Sequence, residues 1–145
     1  MLMNMRRGFT LIELLVVIAI IGILSSVVLA SLTTARSRAR YATVLQQMRE
    51  IATAAEVDYS ARGSYAPDAA VGANPGLSGL SSWPTPPCPG WTYDWNGTGH
   101  PNATNVSVRS ASTGLYQFCI SGSAGDCGGY TDIRNLASKQ ITCNE

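Results

Sequence analysis

Hydrophobic residues follow three successive patterns along the chain. From Leu14 to Leu24 every residue is apolar, and no charged residue occurs between Glu13 and Arg36. The spacing of apolar residues then changes to steps of three and four, which is typical of one face of an amphipathic helix. These apolar positions are Tyr41, Val44, Leu45, Met48, Ile51, Ala52, Ala55 and Tyr59. After position 90, short segments alternate between apolar and polar residues, which indicates β-strands.

The first two patterns belong to one predicted helix. No proline occurs between Phe9 and Arg62, the only glycine there is Gly22, and Gly63 supplies a stop signal. We therefore expect a single helix of about 54 residues, roughly 80 Å long. Its first half is apolar all round and needs lipid or other copies of itself around it, whereas its second half has one apolar stripe that packs on a globular domain.

The rest of the chain predicts a small sheet. Residues 63–90 are rich in Gly, Pro, Ser and Ala and indicate an irregular loop. Strands are predicted at 91–95, before the turn dipeptide Asn96-Gly97, at 106–110, and at 115–120 after a turn at 112–114, with 139–143 as a possible fourth. The predicted fold class is α+β: the long helix packs on an antiparallel sheet of about three to four strands. Trp83, Trp91 and Trp95 are expected in the core or packed under loops.

The N-terminal segment has three interpretations. It is long enough to cross a bilayer, which needs about 20 apolar residues, and Arg6 and Arg7 keep its first end cytoplasmic. It could be a secretory signal peptide cleaved after Val28-Leu29-Ala30, a twin-arginine signal, or an anchor that is retained. Glu13 and the continuing helical period both disfavour the first two. A carboxylate in such a segment costs about 2.5–3.5 kcal/mol and is a functional candidate by default, although it could also reach the headgroups.

Composition excludes several functions. The net charge is +1, and beyond Arg62 the only basic residues are Arg109, Arg134 and Lys139, so we predict no nucleic-acid binding by the head. His100 is the only histidine, which rules out a histidine dyad, and we find no catalytic constellation. We therefore predict that the protein is not an enzyme.

Three weaker signals occur elsewhere. Asp126 and Asp132 could bind calcium in a glycine-rich loop, although their spacing fits no EF-hand and solvated carboxylates are the simpler interpretation. Arg36, Arg38 and Arg40 could contact phosphates of lipid or DNA, or form a solvated or subunit-bridging patch. Sequons for glycosylation begin at Asn96, Asn102 and Asn105.

The N-terminal residues resemble those of the type IV pilin superfamily, which includes type II secretion pseudopilins and competence pilins. The resemblance rests on a short basic leader ending at Gly8, then Phe9-Thr10-Leu11-Ile12-Glu13 and the apolar helix. It is strong from Met1 to about Leu32 and looser at Gly63-Ser64-Tyr65-Ala66-Pro67. One departure is Ala30, where many members have a proline.

The resemblance implies processing and assembly. A prepilin peptidase would remove the leader, residues 1–8, by cutting after Gly8 and would methylate the new amine of Phe9. Residues 9–35 would then span the inner membrane and form the polymerisation helix, and residues 36–145 would form the exported head (helix 36–62, loop 63–90, sheet and C-terminal loop 91–145). Membrane-facing residues would include Leu14, Ile18, Ile21, Gly22 and Val28.

The implied function is a structural subunit of a pilus or pilus-like filament, assembled from like or mixed pilins by an inner-membrane platform. Glu13 lies four residues after Phe9, hence on the same helix face, and would pair with the Phe9 amine of a neighbouring subunit. The alternatives are a minor pilin or pseudopilin that acts as a tip adhesin, in DNA uptake or in cargo binding. The filament would be extracellular or span the periplasm.

Four cysteines without a CxxC pair, behind a membrane-targeting segment, indicate disulfides in an oxidising compartment. In an up-and-down sheet, Cys88 and Cys143 would lie at one end, and Cys119 and Cys127 towards the other. This arrangement favours the pairs Cys88–Cys143 and Cys119–Cys127. A Cys127–Cys143 pair, which closes a C-terminal loop in many pilins, is the alternative.

Overall fold

A computed structural model describes residues 8–97, 105–110, 113–121 and 130–143. Its elements are helix α1 (Leu11–Arg62), strands β1 (Trp91–Asn96), β2 (Asn105–Ser110), β3 (Tyr116–Ser121) and β4 (Thr131–Asp132), and a 3₁₀ turn (Ile133–Asn135). The α+β class, with one long helix and a small sheet, is confirmed. The chain divides into two compact units, residues 1–36 and residues 37–145.

Helix α1 runs without interruption for 52 residues. It starts two residues later than predicted, after Thr10, and it passes through Ala30 without a break. The helix ends as predicted because Gly63 has a positive φ of 73° and donates its amide hydrogen to the Tyr59 carbonyl at 2.8 Å. A glycine at this position closes the last turn without the steric cost that a side chain would add.

The second unit has a core between the striped part of α1 and one face of the sheet. The helix contributes Tyr41, Val44, Met48, Ile51 and Ala55, all buried as their spacing predicts. The sheet contributes alternate residues of each strand, which is the period expected for one face. These residues are Trp91, Tyr93, Trp95, Val106, Val108, Phe118 and Ile120, and Leu77, Ile133 and Ile141 complete the core.

The end of the helical stripe differs from the prediction. Tyr59 is 42% exposed and stacks on Tyr65 with ring centroids 4.5 Å apart, while Asp58 is only 1% exposed. The Asp58 carboxylate accepts hydrogen bonds from the hydroxyl and the amide of Ser78 and forms an ion pair with Arg62. The Ser78 hydroxyl, then Arg62, lower the pKa of Asp58 against the opposing effect of burial. Asp58 therefore links helix α1 to Ser78 in the loop of residues 63–90 by hydrogen bonds.

The sheet has the order β1-β2-β3-β4. Strands β1 and β2 pair antiparallel, with Tyr93 opposite Val108 and Trp95 opposite Val106, and β2 and β3 are also antiparallel. Each of these cross-strand pairs joins two core residues, which fixes the register because a slip by one residue would expose them.

The edge of the sheet corrects two predictions. Strand β4 pairs parallel to β3, with Phe118 opposite Thr131, so the sheet is mixed rather than antiparallel. Residues 139–143, predicted as a possible fourth strand, have no regular structure. The amide of Ile141 instead donates to the Ser37 carbonyl of α1 at 3.0 Å, and Ile141 itself is buried. The apolar–polar alternation there reflects a docked segment and not a strand.

The turn dipeptide Asn96-Gly97 has another role than the predicted one. Asn96 is the last residue of β1 and pairs with Asn105, so residues 97–104 connect the two strands. A Cβ atom on Gly97 would collide with the Ala66 carbonyl oxygen, which also accepts the Trp95 indole hydrogen at an N–O distance of 3.1 Å. Glycine is required here because the backbone of the long loop approaches closely.

One disulfide joins Cys88 to Cys143 with a Cα–Cα distance of 5.3 Å. This is the pairing favoured from the sequence, and it excludes the Cys127–Cys143 alternative. Cys119 is also disulfide-bonded, while Cys127, its predicted partner, lies outside the described residues. The structure therefore ties the C-terminal segment to the loop that precedes β1.

Candidate functional site

The N-terminus of α1 is closed by a reciprocal set of hydrogen bonds between Thr10 and Glu13. The Thr10 amide and hydroxyl donate to the Glu13 carboxylate at 2.8 and 2.7 Å. The Glu13 amide in turn donates to the Thr10 hydroxyl oxygen at 3.3 Å. This is a capping box, in which two amides that lack helical partners are satisfied by side chains.

Sequence reasoning identified Glu13 but missed Thr10. The signal was present in Thr10-Leu11-Ile12-Glu13, which fits the capping-box pattern of Ser or Thr followed three residues later by Glu. The bonds from Thr10 are those of a neutral group, so they orient the carboxylate without removing its charge. In lipid that charge still favours a cationic partner.

Phe9 and Glu13 lie on the same side of the helix start. They line one shallow depression together with Ile12, Val16 and Val17. A Cβ atom at Gly8 would meet nothing within 4 Å among the described residues, and Gly8 itself is exposed. While Gly8 is attached, the nitrogen of Phe9 is an amide. Removing Gly8 would turn it into an amine one helical turn before Glu13.

The helix that follows presents apolar side chains in every direction. Every residue from 8 to 33 is exposed. The predicted membrane-facing residues show the same exposure on all sides, at 59% for Leu14, 61% for Ile18, 56% for Ile21 and 59% for Val28. At Gly22 an added Cβ would meet nothing within 4 Å. Such a surface is unstable in water and requires lipid or other helices around it.

Several hydroxyl groups of this segment are already satisfied within the helix. Ser26, Ser31 and Thr33 donate to the carbonyls of Ile23, Val28 and Ala30 at 2.8–2.9 Å. Hydroxyls bonded in this way can enter hydrocarbon without leaving a donor unpaired. Among the described residues, α1 is the one helix long and apolar enough to cross a membrane.

Comparison with protein-family models identifies a known sequence motif in this segment. Residues 3–29 match the prokaryotic N-terminal methylation motif. This motif is the class III signal sequence of type IV pilins and pseudopilins. It implies processing by a prepilin peptidase, assembly into pili and a structural role, and together with the apolar helix it is consistent with membrane anchoring before assembly. No curated protein and no solved structure matches the chain.

The head contains weaker candidate sites for calcium binding and for glycosylation, and the described residues do not favour either. Asp132 accepts hydrogen bonds from the amide and the guanidinium of Arg134, which lowers the pKa of Asp132, so its oxygens already have a cationic partner. Asp126, the other calcium candidate, and His100 lie outside the described residues. Asn105 is half-buried in β2 and Ser107 is buried, so this sequon lies within a strand of the sheet.

Proposed function

We propose that this chain is the structural subunit of a type IV pilus or pilus-like filament. Prepilin peptidase cleaves it after Gly8 and methylates Phe9, and the mature subunit waits in the inner membrane before it polymerises through residues 9–35. One observation carries the proposal: residues 3–29 match the methylation motif. The exposed apolar surface of residues 8–33 supports it.

Polymerisation gives that surface a partner. When helices from several subunits associate, their apolar side chains pack against one another. Compared with exposure to water this is favourable in proportion to the apolar area buried, and compared with lipid the gain comes from close packing. The surface is apolar all round, so one subunit can contact several neighbours at once. This geometry suits a helical assembly with its helices in a common core.

Glu13 sets the axial position of each subunit in this proposal. Its carboxylate leaves the Thr10 capping box and pairs with the methylated Phe9 amine of the next subunit. Both charges are costly in an apolar core when unpaired, so a subunit displaced along the axis is strongly disfavoured. Because the amine exists only after cleavage, the uncut precursor cannot complete this pair.

Replacement of Glu13 by alanine tests the assembly step. We expect Glu13→Ala to insert in the membrane and to be cleaved, but to yield less than about a tenth of the wild-type filament mass after shearing, since the charge pair is lost. Glu50→Ala is the matched control, because Glu50 lies on an exposed part of α1 outside the apolar segment. Normal filaments from Glu13→Ala would contradict the assigned role.

The processing step has its own test. Mass spectrometry of the mature protein should find an N-methylated Phe9 as the first residue. A mature protein that begins at Ser31 would instead identify a secreted protein with a signal peptide and would overturn the proposal.

A further inference from the structure

Three arginines follow the apolar part of α1 closely in sequence. Arg36, Arg38 and Arg40, here called the arginine cluster, lie in a stretch with no Asp or Glu between Glu13 and Glu50. No acidic residue is therefore available one helical turn away from any of them. Across the described residues, no ion pair and no side-chain hydrogen bond engages the cluster. The cluster thus offers three guanidinium groups that have no anionic partner among residues 8–97, 105–110, 113–121 and 130–143.

The position of Arg36 along the helix matches the thickness of a bilayer. At 1.5 Å per residue, about 40 Å of helix separates Phe9 from Arg36. A bilayer with both headgroup layers is about 40–45 Å thick. With Phe9 at the cytoplasmic boundary, as the proposed function requires, Arg36 reaches the headgroups of the opposite leaflet.

The directions of the side chains favour lipid as the partner. Arg38 and Arg40 are two residues apart, so they leave the helix on different sides, and Arg38 is exposed while Arg40 is half-buried. A protein or a DNA duplex would approach from one side. The head covers one side of the helix here, through Ile141 at Ser37, and a headgroup layer can reach guanidinium groups that leave the helix on its other sides.

From this combination we infer that the arginine cluster binds the phosphate groups of anionic phospholipids in the outer leaflet of the inner membrane. A guanidinium presents paired donors that fit phosphate oxygens, and anionic lipid adds a net charge that zwitterionic lipid lacks. The inference rests on the proposed membrane stage of the subunit. Lipid bound here holds the helix at a fixed depth, with Phe9 and Glu13 at the cytoplasmic face, and must be released on assembly.

Nanodiscs of mixed phosphatidylglycerol and phosphatidylcholine test the inference with the full chain. Native mass spectrometry of the released protein gives the ratio of the two lipids that remain bound. We expect wild type to enrich phosphatidylglycerol by roughly five-fold or more over its share in the disc, and we expect Arg36→Gln/Arg38→Gln/Arg40→Gln to lose most of this enrichment. Arg6 and Arg7 remain in every variant, so the difference reports on the cluster alone.

Arg49→Gln is the matched control, because Arg49 is exposed on the same helix but lies about 20 Å beyond Arg36. This variant should retain the wild-type lipid ratio. An unchanged ratio in the triple variant, or an equal loss in Arg49→Gln, would overturn the lipid site while leaving the filament proposal intact. An unchanged ratio with loss of duplex-DNA binding would reassign the cluster to nucleic acid. A chain that fails to enter nanodiscs would overturn both proposals.

Discussion

Two carboxylates of helix α1 show how local partners decide what a charged residue does. Glu13 is exposed and accepts hydrogen bonds from Thr10, three residues earlier. Asp58 is buried and is held by Ser78 and by Arg62, four residues later. The partners of Glu13 are neutral, so it remains available to a cation. The partners of Asp58 include the cation of Arg62, so its charge is neutralised within the fold and its role is structural.

Asp58 makes the stability of the head depend on acid. Its pKa is lowered in the folded state, so the unfolded chain binds a proton more readily near the ordinary value of 3.8. This contribution to stability is therefore present above that pH and is lost as the pH falls through the lower, folded pKa. For Asp58→Asn we expect a thermal midpoint several degrees below wild type at pH 7, with the difference shrinking below about pH 4.

Tryptophan fluorescence of the full chain in a non-ionic detergent follows this transition, since all three tryptophans lie in the head. Asp132, whose pKa is also lowered, titrates in both proteins, so wild type and variant share part of the acid sensitivity. Asp68→Asn is the control because Asp68 is exposed. A difference that stays constant from pH 7 to pH 3 would show that the Asp58 charge does not carry this contribution.

At the scale of elements, the C-terminal segment is held by contacts other than strand pairing. Ile141 bonds to the Ser37 carbonyl, the Ser37 hydroxyl donates to the Gln140 side chain at 3.2 Å, and Cys143 is linked to Cys88. These contacts fasten the chain end both to α1 and to the loop before β1. The disulfide closes a loop with a sequence separation of 55, and the hydrogen bond from Ser37 to Gln140 closes a longer one of 103.

Removing this disulfide should destabilise the head substantially. A link across so long a loop restricts the unfolded chain, and its loss typically costs about 2–4 kcal/mol. We expect Cys88→Ser/Cys143→Ser to lower the free energy of unfolding by that amount in urea titrations of the full chain. The double variant avoids a free thiol, and Thr142→Ala, at an exposed neighbour, is the control. Equal unfolding midpoints for the double variant and wild type would contradict the expectation.

The elements differ in how far the sequence predicts them. Helix α1 and strands β1 to β3 follow from their periodicity. The predicted bounds differ from the observed ones by two residues at the helix start and by no more than one residue at the strand ends. Strand β4 could not be foreseen, because two residues give no period and parallel pairing depends on where the chain returns. The Cys88–Cys143 pair was reached partly through a strand at 139–143 that does not form. At the end of the helical stripe Asp58 is buried and Tyr59 is exposed, because Asp58 bonds to Ser78, which lies twenty residues later in the chain.

The methylation motif at residues 3–29 is a local pattern, whereas the head depends on contacts between distant residues. Gly8, Phe9 and Glu13 lie in a short local motif, and its chemistry depends on spacing along one helix. The capping box is also a local pattern, because Thr10 is followed three residues later by Glu13. In the head, by contrast, Gly97 matters because Ala66, thirty-one positions earlier, approaches it, and no local pattern reports such a contact.

On the scale of the whole molecule, the two units perform separable tasks. Residues 9–35 carry the membrane stage and assembly in the proposed function, while the buried apolar residues that the structure describes all belong to the second unit. A change that damages the fold of the head should therefore leave membrane insertion intact. A change at Glu13 should abolish assembly without altering the stability of the head.

Gly97→Ala and Glu13→Ala form a crossed test of this separation. A methyl group on Gly97 would collide with the Ala66 carbonyl and displace the Trp95 hydrogen bond, which we expect to cost about 3 kcal/mol or more in head stability. The variant should still resist extraction from membranes by alkaline carbonate. Glu13→Ala should keep the wild-type unfolding midpoint, and Gly22→Ala, a helical site with open space, should change neither property. If Gly97→Ala released the chain from membranes, or Glu13→Ala shifted the unfolding midpoint, the two units would have to be treated as one cooperative structure.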